Sequence, residues 1–117
     1  MSNLVIATEF SLYPAGRTGK DGPDNGTRFR TEFLVPRLRI ATPTDKLRVV
    51  LDGCRSFGSS FLDEAFGGLI RYEGFNADQL GSIMEIVAER PVYWPYKKMI
   101  GKYLIESTAQ RAMRQSA

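Results

Sequence analysis

Residues 46–72, KLRVVLDGCRSFGSSFLDEAFGGLIRY, decide the fold. The apolar run 47–51 is rich in β-branched residues and reads as a buried strand. Asp52-Gly53 breaks it, and a helical period starts at Ser59-Ser60. Phe61, Ala65, Leu69 and Tyr72 fall on one stripe, flanked by Leu62, Phe66 and Ile70, and together sweep an apolar arc of roughly 200°. Asp63, Glu64, Gly67 and Arg71 fill the remaining polar arc. The stretch therefore predicts strand, turn and helix, with two serines at the helix N-terminus.

Outward from this unit, residues 3–8 (NLVIAT) read as another strand, which Phe10 and Leu12 extend or follow as an edge. Residues 13–27 (YPAGRTGKDGPDNGT) form a glycine- and proline-rich loop without regular structure. Residues 28–40 read as a helix with Phe29, Phe33, Leu34 and Leu38 on one face, Thr27 or Asn25 as its cap, and a kink or early end at Pro36. Asn76 caps a short helix over 77–82, residues 83–88 (IMEIVA) make a third strand, and Pro95 opens a last helix with Tyr96, Met99, Ile100, Tyr103 and Leu104 inward. Its stripe fades after Leu104, so residues 108–117 read as a flexible tail behind a domain spanning 1–107. Alternating strands and helices predict an α/β fold: one small domain, with a short, mostly parallel or mixed sheet and helices packed on it.

The residues of the central unit, Leu51-Asp52-Gly53, Phe57-Gly58-Ser59-Ser60 and Gly67-Gly68-Leu69, resemble the STAS-like domain family of uncharacterised function. Arg17, Asp21-Gly22-Pro23 and Phe29-Arg30 match the same family, and the likeness extends over roughly residues 5–90. More distantly the unit resembles STAS domains proper, the anti-sigma-factor antagonists, in which a kinase phosphorylates a serine at the helix start. Gly58 stands where those proteins carry an aspartate, and Phe61 replaces the glycine after their serines. The resemblance implies a non-enzymatic regulatory module and a protein partner, a kinase of the histidine-kinase-like ATPase class. It makes Ser60, and after it Ser59, the phosphoacceptor candidates, and partner binding would be turned off by phosphorylation.

The residues alone leave other readings open. Ser60 followed by Asp63 is close to a capping box, in which the serine is structural. Gly68 fits a close approach of helix to sheet, while Gly67, in the polar arc, fits either an approaching partner or drift. Asp63, Glu64, Gly67 and Arg71 are the candidate partner surface. Arg17 and Lys20 of the loop with Arg28 and Arg30 are the candidate anion site, and Arg28, Arg30, Arg37 and Arg39 form a basic surface flanking the loop. An anion- or nucleotide-ligand domain, or a non-catalytic subunit of a bacterial defence or toxin–antitoxin system, are the alternatives.

Composition narrows the chemistry. With one cysteine and no histidine, zinc sites of Cys/His type and Ser-His or Cys-His catalysis are excluded, and no cofactor is indicated. Cys54 reads as a small buried residue. Gly16–Lys20 lacks the Ser/Thr and the spacing of a nucleotide phosphate loop. Asp63 and Glu64 diverge by about 100° on a helix and do not converge on one substrate atom. Net charge is +3, with basic residues in excess over 16–48 and 96–117 and acids over 49–95. That unevenness fits a solvated surface or a charged partner. No nucleic-acid reader motif is present, no apolar run is long enough for a membrane span, and the protein is expected in the cytoplasm.

Overall fold

The computed structural model describes residues 2–116. Three strands, β1 (Ser2–Val5), β2 (Leu47–Val50) and β3 (Met84–Val87), form a sheet in the order β1-β2-β3, parallel throughout. Ser2 pairs with Leu47 and Leu47 with Met84. The rung Leu4–Val49–Ile86 faces the core, with Leu4 and Val49 fully buried. The neighbouring rung Asn3–Arg48–Glu85 faces the other way, and there Arg48 and Glu85 approach to 3.5 Å. Among the described residues no helix is long and apolar enough to cross a membrane.

β1 is shorter than its apolar run. The chain leaves the sheet at Val5 and coils into a helical turn, Ile6–Glu9. The Glu9 carboxylate holds that turn, accepting from the Val5 amide at 2.7 Å and from Arg37 at 2.8 Å. A tertiary ion pair thus overrides the strand propensity of the run, and Phe10 and Leu12 extend no strand.

Helix α1 spans 26–38 in three continuous segments, Gly26–Phe29, a π-helical turn Arg30–Leu34, and Val35–Leu38. Asn25 caps it through a side-chain bond from the Arg28 amide at 2.9 Å. Pro36 neither ends nor breaks the helix; the wide turn before it absorbs the missing donor. Helix α2 spans 59–71 in the same manner: Ser59–Leu62, a π-helical turn Asp63–Gly67, and Gly68–Arg71. Helix α3 (Ala77–Ile83) begins in a capping box of Asn76 with Gln79 and leads directly into β3. Helix α4 runs unbroken over Trp94–Ser116, so no structural boundary falls at residue 107 and the expected tail is helical.

The core is aromatic. Phe10, Phe29, Phe33 and Phe61 lie with ring centroids 5.0–6.0 Å apart, and Phe57 extends the cluster to Tyr96 of α4. Of the apolar arc of α2, Phe61, Leu62, Ala65, Phe66, Leu69 and Ile70 are all buried, whereas Tyr72, past the helix end, is 55% exposed.

Candidate functional site

The turn after β2 is built for close passage. Leu51 continues the ladder, its amide donating to Val87 O at 2.9 Å. Gly53 takes φ +105°, a conformation that suits glycine. Its amide donates to the Tyr93 hydroxyl at 3.0 Å, and that hydroxyl donates to Cys54 O at 2.6 Å. Asp52 accepts from the amides of Glu89 and Arg90 at 2.8 and 2.9 Å, tying the ends of β2 and β3 together. Cys54 is buried, and burial pushes its thiol up to about 12, so it is no thiolate nucleophile.

The glycine-rich loop lies across this turn. Gly58 donates to Pro14 O at 3.0 Å, and a Cβ on Gly58 would come within 3.3 Å of the Ala15 backbone. The loop is ordered internally. Asp21 accepts from the amides of Arg17 and Thr18, and a 3-10 turn forms over Gly19–Asp21. Its exit is pinned to α1, with Gly26 and Thr27 donating to the carbonyls of Gly16 and Arg17.

Gly58, not Ser60, is the N-cap of α2, and no side chain caps that helix. Ser59 and Ser60 occupy its first turn. Their hydroxyls make no hydrogen bond among the described residues; Ser59 is exposed and Ser60 half-buried. The capping box expected of Ser60 and Asp63 does not form, because the helix already starts at Ser59 and Ser60 lies inside its first turn rather than at the cap.

The polar arc of α2 faces protein rather than solvent. Asp63 takes Arg17 Nη1 on one oxygen at 2.8 Å and Arg71 Nη1 on the other at 2.9 Å. Burial raises the Asp63 carboxyl, but the bonds and charges of those two arginines outweigh it and hold the pKa below the ordinary 3.8. Arg71 Nη1 also donates to Ser107 Oγ of α4 at 2.6 Å, and Ser107 is buried. Gly67 lies beneath this contact: a Cβ there would stand 2.5 Å from Arg71 Nη1 and 2.6 Å from Ser107 Oγ. Its missing side chain thus makes room for the chain's own last helix. The expected partner surface of Asp63, Glu64, Gly67 and Arg71 is therefore largely an internal contact, with Glu64 and Gly67 buried.

Arg30 is the largest departure from the sequence reading. It is buried, and it donates to the Glu64 carbonyl, to Glu64 Oε2 at 2.8 Å and to Glu73 Oε2 at 2.9 Å. Its guanidinium lies over Gly68, where a Cβ would collide with Nη1, so Gly68 serves a side chain of α1 and not the sheet. The two π-helical turns meet here, Arg30 from one and Glu64 from the other. Gly26 brings the helices close, since a Cβ on it would lie 2.8 Å from Phe61 O.

The expected anion site is likewise not assembled. Arg17 faces Asp63 and Glu64, Arg30 faces Glu64 and Glu73, and Arg28 lies between Asp24 and Glu32 over the ring of Phe10. Lys20 is exposed at the tip of the loop. Among the described residues no buried side-chain nitrogen or oxygen lacks a partner, so the network is closed on itself. A cleft of about 550 Å³ opens beside it, lined by Arg17, Asp63, Arg71, Tyr72, Met113 and Arg114 among others.

The strand, the serine turn and the paired helices can now be set against known families. A family described as a STAS-like domain of unknown function matches residues 25–87, from the cap of α1 to the end of β3. The chain belongs to this family. The matched part of the STAS-like domain holds β2, β3 and the Arg30–Glu64 pair, while β1, most of the glycine-rich loop and α4 lie outside it. It is narrower than the span of residues 5–90 over which the sequence resembles the family. No curated protein and no solved structure matches the chain.

Proposed function

We propose that this STAS-like domain is a non-enzymatic, cytoplasmic regulatory module that binds a protein partner and is switched by phosphorylation in the Ser59-Ser60 turn. The observation that carries the reading is the state of the two hydroxyls. They sit in the first turn of α2, one exposed and one half-buried, and neither is engaged in capping or in any side-chain bond among the described residues. A helix whose cap residue is glycine leaves first-turn amides free to receive an anion. The acidic neighbours one turn on, Asp63 and Glu64, are compensated by Arg17, Arg30 and Arg71, which lessens their repulsion of a phosphate. By helical spacing Ser60 shares the Asp63–Glu64 stripe, where Arg17 reaches the helix.

The modifying enzyme implied by the likeness to anti-sigma-factor antagonists is an ATP-dependent kinase of the histidine-kinase-like ATPase class. The test is the mass of the peptide containing residues 59 and 60, from protein recovered from its own cells and from protein incubated with that class of kinase and ATP. A gain of one phosphoryl group, lost in Ser60→Ala or in Ser59→Ala, is expected. An unmodified peptide from both preparations, with the kinase active on itself or another substrate, would refute the switch.

A further inference from the structure

We infer that the rim at the carboxyl ends of the strands, formed by Leu12, Tyr13, Arg55, Arg90, Val92 and Trp94, docks a protein segment carrying carboxylates around an apolar side chain. The inference rests on the regulatory reading above for its partner and adds where that partner binds and what chemistry it presents.

Leu12 and Val92 are large apolar side chains that the fold leaves exposed at this hollow, at 43% and 62%, and their near neighbours in the chain, Tyr13 and Trp94, are exposed as well, at 59% and 53%. Hydrogen bonds fix the segments that carry them. Arg55 donates to Leu12 O at 2.8 Å, Gly58 donates to Pro14 O, and the Trp94 indole donates to Ala88 O at 2.9 Å. Leu12, Arg55, Arg90 and Val92 line one hollow of about 370 Å³, floored by Gly53, Cys54 and Tyr93.

Charge adds to the apolar character of this hollow. Arg17, Arg28, Arg30, Arg37, Arg48 and Arg71 all face carboxylates. Among the described residues neither the Arg55 nor the Arg90 guanidinium lies within ion-pairing distance of one. Asp52, just past the end of β2, is turned to the amides of Glu89 and Arg90. Exposed apolar side chains beside unpaired arginines, with aromatic residues next to them in the chain, suit an interface, and arginine selects carboxylates. The loop 12–14 runs from this rim to Gly58, so Ser59 stands at its edge. A phosphate there would set a dianion against an acidic partner, which gives the switch its direction.

The experiment places a photo-cross-linking phenylalanine analogue at Val92, and separately at Ile105, which is exposed on α4 about 16 Å beyond Trp94 along the helix, in the full chain expressed in its own cells. An adduct to one protein from position 92 and not from 105 is expected, with Asp or Glu flanking the cross-linked residue. Arg55→Glu with Arg90→Glu should remove at least nine-tenths of it, while Arg55→Lys with Arg90→Lys keeps it and both variants melt like the parent. The inference is overturned by an adduct that survives charge reversal, by a segment without carboxylates, by cross-linking to nucleic acid, or by no adduct at 92. A charge-dependent adduct unchanged by Ser59→Asp and Ser60→Asp would leave the docking rim standing and remove the switch. A phosphorylated serine without a charge-dependent adduct would do the reverse.

Discussion

The guanidinium of Arg30 occupies the space a side chain on Gly68 would need. Two residues on different helices thus share one volume, and the arginine fills it in order to reach Glu64 and Glu73. Gly68→Ala must expel Arg30 from its pair. Leaving a buried carboxylate without its partner costs about 3–5 kcal/mol, so the variant should show a comparable loss in urea unfolding. Arg30→Ala should cost as much, and the double variant little more than either alone, because both remove the same interaction.

Gly67→Ala separates helix propensity from packing. Propensity favours alanine by about 1 kcal/mol. The atoms of Arg71 and Ser107 stand 2.5 and 2.6 Å from the new methyl group, and overpacking of that kind costs about 1–3 kcal/mol. Net destabilisation is expected, measured by denaturant midpoint. It should shrink when Ser107→Ala is combined with it.

The acid limb of stability should report Asp63. Its carboxyl is lowered in the fold, so the stability it contributes is complete above the ordinary value of 3.8 and is lost as pH falls through the lower folded value. Melting temperature followed downward from pH 5 should therefore drop more steeply in the parent than in Asp63→Asn. The variant should already be less stable at neutral pH, where Arg17 and Arg71 lose a charged acceptor.

Ser60→Ala should change stability by less than about 0.5 kcal/mol, the ordinary range for a side chain without a special role. Asn25→Ala and Asn76→Ala remove side chains that do cap helices, and each should cost about 1 kcal/mol. Chemical denaturation of the three variants side by side makes the comparison. A Ser60→Ala loss as large as that of Asn25→Ala would return Ser60 to a structural role.

Legibility of this fold from sequence followed the periodicity of its elements. The apolar run 47–51 and the arc from Phe61 to Ile70 are local patterns, and the structure buries Leu47, Val49 and Leu51 of the one and Phe61, Leu62, Ala65, Phe66, Leu69 and Ile70 of the other. What periodicity could not convey is where a charged residue finds its partner. Arg30 looks like a surface arginine until Glu64, far along the chain, is placed beside it. The Gly67-Gly68 pair, costly in any helix, was the one local sign that something presses on α2. It marked the contact without saying whether another protein, the sheet or the chain's own helices made it. The serine turn was visible as a location, but the absence of a capping bond depends on the helix starting at Ser59 with Gly58 as its cap, which places Ser60 inside the first turn. Nothing in the sequence singled out Arg55 and Arg90 from the other arginines, since what sets them apart is the hollow they line together.

The wholly parallel sheet has a consequence for the order in which the protein is made. Ser2 must wait for Leu47, and Leu47 for Met84, so no rung can close between neighbours in sequence. During synthesis the first strand remains unmatched until the second has left the ribosome, and α1, capped by its own Asn25, is the earliest element able to form without them. Every strand pair must therefore close a long stretch of chain, which slows the folding of this small domain relative to one built from neighbouring hairpins.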